Sequence, residues 1–389
     1  MNTALSSGFS QSKKVLQIIS SGGMYGAEQM LLELSSELKR DGTYAPIVGV
    51  MSNRNNPHEE LADAARSRGL SAAVFPCSAK LDVCLLFNLR GFLKKNRIGI
   101  IHTHGYKADC YAYAATRGLP ITLISTCHNW LGDDLKMKSY AVLDRMVLKQ
   151  FDAVAAVSPD VRVALLKSGI PSPGIYTVQN GVCLDRFIPM GSRRLKRTEF
   201  GIPENALVIG SVGRLSPEKG HRVFLEAARA ILSRYPNSFF LIVGEGPLKE
   251  DLKKEFGSAS ILFTGFRRHV VDLYHIMDIF VLPSFIEGSP MALLEAMASR
   301  TPVIATRVGD IPNMIVHQKT GLLVEPGDAA GLQKTVEQAI MNPRLRQVMV
   351  QEAYRMLGSK FSSCSMAATY RDMYAEYADL TRLTKKGSA

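Results

Sequence analysis

At 389 residues, with 46% hydrophobic and 21% charged side chains, the chain is too long for one ordinary hydrophobic core and too apolar to be disordered. No apolar run approaches the roughly 20 residues of a membrane-spanning helix. The net charge of +12 selects anionic company: nucleotides, phosphates, an acidic membrane surface or nucleic acid. The opening residues, MNTALSSGFSQSKK, lack a basic start followed by an apolar core, so they read as a short disordered lead and not as a secretion signal. Six scattered cysteines without a C-x-x-C pair fit reduced thiols in a cytoplasmic protein better than a zinc site or a disulfide framework.

Along the chain, short β-branched runs alternate with helical patterns. VLQIIS, APIVGVM, AAVFP, IGIIHTH, ITLIST, AVAAVS and IYTVQNGV are the first strand candidates, with AEQMLLELSSELKR and LRGFLKKNR among the helices between them. The segment CLDRFIPMGSRRLKRTEFGIPENA then interrupts the series with Pro, Gly, four clustered bases and no apolar period. It reads as a solvated linker and not as a nucleic-acid patch, because few aromatics interleave the charges. The series restarts with LVIGSVG, FFLIVGEG, ILFTG, IFVLPS, PVIATRVG and GLLVEP. Such alternation predicts an α/β fold of two Rossmann-like, doubly wound parallel domains, residues 1–185 and 186–365, facing across a cleft. The last helix, 366–389, is expected to pack back on the first domain. Ligands of such sheets bind at the carboxyl ends of the strands, and every candidate motif falls there.

In SGGMYGAEQ, Gly22, Gly23 and Gly26 permit a tight turn before a helix, either an anion site or only a structural turn; the dinucleotide fingerprint is incomplete. In VGRLSPEKG, Arg214 and Lys219 lie across a Ser-Pro turn, where two cations suit a leaving diphosphate unless they simply face solvent. His102, His104 and His128 end two strands without a supporting carboxylate or Cys ligand, which favours hydrogen bonds to a hydroxyl-rich substrate over a metal. The Gly265-Phe266-Arg267 turn either receives a planar base or packs internally. In PSFIEGSPMALLEAMA, Glu287 sits in a strand-to-helix loop, Ser289 is expected to cap the helix with Pro290 at its first position, and Glu295 lies within an apolar helix. Taken alone, Glu295 either snorkels to solvent or is buried with a partner.

In this order, GGMYGAE, AVSP at 156–159, QNGV, GRLSPEKG, the E-x₇-E pair Glu287/Glu295 with EAMASRTPVIATRVGDIPNMI, and GLLVEPGD resemble the retaining glycosyltransferases of the GT-B fold, family-4 group. The resemblance spans nearly the whole chain, and its most specific part is the E-x₇-E pair. It implies that Glu287 borders the donor sugar and Glu295 holds the nucleotide ribose. Gly288, Ser289, Met291 and Ala292 would turn free N–H groups toward sugar and phosphates. Arg214 and Lys219 would grip the diphosphate, the Gly22-Gly23 loop would close over it, His128 would contact sugar or acceptor, and the Phe266 turn would meet the base. Three positions depart from the family pattern: Ser289 where an aromatic is frequent, Arg300 where glycine is frequent, and Asp310 in place of the second glycine of a GG turn. These bear on the donor sugar and leave the carboxylate pair intact.

The resemblance thus implies a cytoplasmic NDP-sugar-dependent transferase acting on a saccharide or lipid-linked acceptor in polysaccharide or glycolipid assembly. It needs no metal and no nucleic acid. Lys94, Lys95 and Arg97 are candidate contacts to an anionic membrane at its inner face, or else a solvated helix end. The rival readings are a nucleotide-sugar epimerase of the same fold and a non-catalytic nucleotide-binding protein.

Overall fold

The computed structural model describes residues 12–78, 81–128, 135–189, 191–267 and 269–386. Most of the N-terminal lead lies outside the described residues. The first half runs β1 (Lys13–Ser20), α1 (Gly26–Asp41), β2 (Tyr44–Asn53), α2 (Glu60–Ser67), β3 (Ser71–Cys77), α3 (Val83–Asn96) and β4 (Ile100–His104). It continues with α4 (Tyr106–Thr116), β5 (Thr122–Cys127), α5 (Leu135–Leu148), β6 (Ala153–Ala156), α6 (Pro159–Lys167) and β7 (Ile175–Thr177). After α7 (Arg193–Glu199) come β8 (Leu207–Val212), α8 (His221–Arg234), β9 (Ser238–Val243), α9 (Lys249–Phe256), β10 (Ile261–Gly265) and α10 (Val271–Ile276). The chain ends with β11 (Ile279–Leu282), α11 (Met291–Ala298), β12 (Val303–Thr306), α12 (Ile311–Met314), β13 (Leu322–Val324), α13 (Ala329–Met341), α14 (Pro343–Lys360) and α15 (Ser363–Lys386).

All thirteen expected runs are strands. They form two parallel sheets, ordered β3-β2-β1-β4-β5-β6-β7 and β10-β9-β8-β11-β12-β13. Each sheet reverses its winding once, between β1 and β4 and between β8 and β11, which opens a ligand crevice at those strand ends. β4, β5, β6, β11, β12 and β13 are buried along their whole length, as expected of parallel strands covered on both faces. Alternation along β4 turns His102 and His104 to one face and Thr103 to the other.

The helix α15 packs on α1 and β5, with Tyr370, Met373 and Tyr374 fully buried. It reaches them because the chain returns beside its own crossing. Val182 N–H donates to the Phe361 carbonyl at 2.9 Å, and Ser363 N–H donates to the Val182 carbonyl at 3.0 Å. Gly181 permits this approach, since a Cβ there would stand 2.3 Å from the Ser362 carbonyl oxygen.

Two local expectations are corrected. The basic segment is mostly exposed but not solvated throughout. Arg193, Arg194, Lys196 and Arg197 each pair with a carboxylate, and Arg197 is buried. Its guanidinium donates to the carbonyls of Glu204, Ala206 and Ile276 and to Asp278, which fastens α7 to the second sheet. Ser289 does not cap α11. The helix begins at Met291, extended Pro290 occupies the cap position, and Ser289 offers its carbonyl to Asn180 instead.

Candidate active site

Three strand ends of the second sheet converge. Lys219 Nζ, after β8, lies 2.7 Å from Glu287 Oε1, after β11, and Ser284 Oγ donates to the same oxygen at 2.6 Å. The Glu287 side chain is only 6% exposed, so the cation and the hydroxyl offset the cost of burying its charge. Two glycines make the approach possible. Gly220 has φ +64°, and a Cβ would sit 2.0 Å from the Pro283 carbonyl oxygen; at Gly309, φ +52°, it would sit 1.9 Å from that of Glu287. The GEG turn after β9 braces the same loop, with Leu215 N–H donating to the Glu245 carbonyl and Leu248 N–H to that of Leu215.

The first domain meets this surface. Its glycine turn is held by buried Glu28, which accepts from Ser21 Oγ at 3.0 Å and from the Tyr25 N–H at 3.1 Å. Burial raises the Glu28 carboxyl, and these donors act against that rise. The turn presents Tyr25 to the Arg214 guanidinium, 5.8 Å from the ring centroid, and Gly26 to the Met291 side chain. The His128 carbonyl abuts Gly288, where a Cβ would clash at 2.3 Å. Asn180 Nδ2 donates to the Ser289 carbonyl at 2.7 Å, and Gln179 Nε2 donates to Asp310 Oδ2 at 2.9 Å. Asp310, the departure from the GG turn, is therefore a bridge between the halves.

The structure thus gathers Gly22, Gly23, His128, Arg214, Lys219, Glu287, Gly288, Ser289 and Met291 around one cleft, with Ala292 half-buried in the first turn of α11. Glu295 is one turn deeper and does not snorkel; it is 8% exposed and accepts from the Tyr274 hydroxyl at 2.9 Å. Burial pushes its carboxyl up to about 7. Phe266 stands apart at the end of β10, exposed, its N–H on Glu245 Oε1 at 3.3 Å. Arg300 explains its own departure: its φ of +56° is the left-handed region that favours glycine, and its guanidinium sits 4.2 Å from the Tyr354 ring centroid. Glu28, Tyr274, Ser284, Gln179 and Asn180 were not singled out as site residues. The S-x₆-E spacing of Ser21 and Glu28 and the QNGV turn were the visible signals for three of them.

His221, the first residue of α8, is buried beneath this loop, and neither ring nitrogen has a partner among the described residues. Burial, and secondarily Lys219, lower its pKa to about 4; neighbouring Glu218 acts the other way. Stability tied to neutral His221 is present above the unfolded value of about 6.5 and is lost as pH falls toward 4. His221→Met is therefore expected to stabilise the protein by about 1–2 kcal/mol at pH 7. The gain should grow by up to about 1.4 kcal/mol per pH unit below 6.5. Urea unfolding at pH 7 and pH 5.5 measures both, and a gain that shrinks on acidification contradicts the assignment.

Two Rossmann-like domains meeting at their strand ends, cations at those ends and an E-x₇-E pair together define the nucleotide-sugar-dependent glycosyltransferases of the GT-B fold. The chain belongs to the group 1, family-4 glycosyltransferases: residues 192–356 match the model described as glycosyl transferases group 1, and residues 24–186 match glycosyltransferase family 4. It is similar to the UDP-Gal:alpha-D-GlcNAc-diphosphoundecaprenol alpha-1,3-galactosyltransferase of Escherichia coli, at 27% identity over 76% of this chain and 80% of that one. It is also similar to a D-inositol 3-phosphate glycosyltransferase of Saccharomonospora viridis, at 28% identity over 90% and 89%. In fold it resembles HepE of Anabaena solved in complex with UDP-glucose, with a TM-score of 0.81 and 19% identity over 93% of this chain and 99% of that one.

Proposed function

We propose that this glycosyltransferase moves a sugar from a nucleoside-diphosphate donor to an acceptor hydroxyl with retention of anomeric configuration, in the cytoplasm, and without a metal. The observation that carries the reading is the Lys219–Glu287 pair at 2.7 Å, its lysine on the same strand-end loop as Arg214. As the bond between the anomeric carbon and the diphosphate oxygen breaks, negative charge gathers where Arg214 and Lys219 can meet it. The acceptor hydroxyl attacks on the same face and gives its proton to the departing phosphate. Glu287, already engaged by Lys219 and Ser284, orients the sugar and is not a covalent nucleophile. Glu295 takes the ribose hydroxyls, and the Phe266 turn takes the base. The names of the similar proteins support a UDP-sugar donor and a saccharide or lipid-linked acceptor. Acceptor-dependent release of nucleoside diphosphate, with the product anomer read by NMR, tests the whole reading. Release without acceptor and with donor epimerised, or an inverted product, would overturn it.

For a lipid-linked acceptor, we place the contact with an anionic membrane on α3. No helix among the described residues is long and apolar enough to cross a membrane. Yet Val83 and Phe87 stand exposed on one face of α3, followed by exposed Lys94, Lys95 and Arg97. Each base is worth about 1 kcal/mol near an anionic surface. Co-sedimentation with anionic vesicles is therefore expected and should be lost in Lys94→Glu/Lys95→Glu; equal binding to zwitterionic vesicles argues against this surface.

A further inference from the structure

Behind the cleft, seven side chains form one line of hydrogen bonds. His128 Nε2 lies 3.0 Å from His104 Nδ1, and His104 Nε2 lies 2.9 Å from Gln17 Oε1. Gln17 Nε2 is 2.7 Å from the Tyr374 hydroxyl, which is 2.6 Å from His102 Nδ1. His102 Nε2 lies 2.7 Å from Thr126 Oγ1, and the Tyr370 hydroxyl of α15 meets that oxygen in turn at 2.8 Å. The members come from β1, β4, the end of β5 and α15, and all but His128 are buried. Register aligns them: Gln17 is paired with His102, and His104 with Thr126. A tilted ring contact at 4.5 Å (His102–His104) and a stacked one at 5.3 Å (His104–His128) fix the imidazole planes.

Burial lowers all three histidines, His102 to about 3 and His128 to about 4, so each ring is neutral and carries one N–H. A neutral imidazole donates once and accepts once, and an amide donates only from nitrogen and accepts only at oxygen. From His128 to Gln17 the protons can therefore run in only two ways, and the Gln17 amide decides between them. With Oε1 on His104, His104 must hold its proton on Nε2 and accept at Nδ1. His128 must then donate from Nε2. Its Nδ1 is then left as a bare lone pair at the outer end of the line. Turned about, the amide would put a proton on His128 Nδ1.

We infer that Gln17, held by Tyr374 of α15, is a positioning residue that sets the tautomer of His128 and makes its Nδ1 a hydrogen-bond acceptor, selecting a substrate hydroxyl at that point. The consequence for turnover rests on the reading above that His128 meets sugar or acceptor; the tautomer itself does not. Gln17→Met removes the acceptor for His104 at nearly constant shape. Tyr374→Phe leaves Gln17 in place but frees its amide to turn.

Long-range ¹H–¹⁵N spectra of histidine-labelled full-length protein report which nitrogen is protonated. Wild type is expected to show His104 and His128 both protonated at Nε2. Both variants should show mixed tautomers at His104 and His128. Turnover in Gln17→Met should fall about 10- to 100-fold, the scale for partners that orient a functional imidazole, with the KM for donor unchanged. If Gln17→Met does not fold, Tyr374→Phe carries the test through the same spectra. Wild-type His128 protonated at Nδ1 overturns the inference, as does an unaltered His128 tautomer in the folded variants. A shifted tautomer with full turnover upholds the control by Gln17 and overturns the placement of His128 at the substrate.

Discussion

Lys219→Ala is expected to lower turnover at saturating donor by about 10²–10³-fold, the cost of losing one group aimed at charge that develops in the transition state. Lys219 is well placed for this because it is a quarter exposed at the cleft yet tethered by Glu287, so it is already ordered before the diphosphate arrives. The same pairing means that the variant leaves a buried carboxylate with Ser284 as its remaining side-chain donor among the described residues. A stability loss of about 1–3 kcal/mol should accompany the kinetic loss. The two effects separate in the double variant Lys219→Ala/Glu287→Gln, which removes the stranded charge: melting temperature should recover and turnover should not. Near-normal single-turnover rates in Lys219→Ala would remove the lysine from the chemistry.

Glu287→Gln and Glu295→Gln are expected to fail differently. Glu287 lies beside the Lys219 ammonium, so its loss should slow transfer and leave nucleoside-diphosphate affinity nearly intact. Glu295 lies a turn deeper with Tyr274 and should act on the ribose, so its loss should weaken nucleotide binding. Breaking a hydrogen bond to a charged group costs about 1.5–3 kcal/mol, roughly a 10- to 100-fold rise in Kd. The raised Glu295 carboxyl adds a sign. Near its folded value of about 7 it is half protonated, so ribose binding to the carboxylate should strengthen as pH rises through 7 and weaken as pH falls below it. Glu295→Gln should abolish that part of the pH dependence. Calorimetric titration of nucleoside diphosphate at pH 6 and pH 8 decides it; equal loss of affinity in both variants would show the division of labour to be wrong.

The strands were legible because a parallel strand covered on both faces is largely apolar, and runs such as LLV and IFVL announce it. The ends of those strands were legible too, hence the gathering of Arg214, Lys219 and Glu287 at one edge. What local pattern could not carry was partnership. That Lys219 pairs with Glu287 follows only once β8 and β11 are neighbours. Arg197 looked like part of a solvated run because the groups that bury it, at Ile276 and Asp278, are 79 and 81 residues away. Ser289-Pro290 has the letters of a helix start, but Asn180 of the other domain claims the Ser289 carbonyl and the helix begins one residue later than those letters suggest. Gln17 is one polar residue in an apolar strand, and nothing near it in the chain points to α15.

The return of α15 also orders the making of the protein. Gln17 meets Tyr374 across 357 residues of chain, and His102 meets it across 272. A nascent first domain therefore emerges from the ribosome with Gln17 on β1 and His102 on β4 each lacking one native partner, the Tyr374 hydroxyl, until the second domain has been synthesised. The second sheet, whose strands are contiguous in sequence, can close while this waits. Assembly should then be finished by the docking of one helix, a late step set by long-range closure and not by strand pairing.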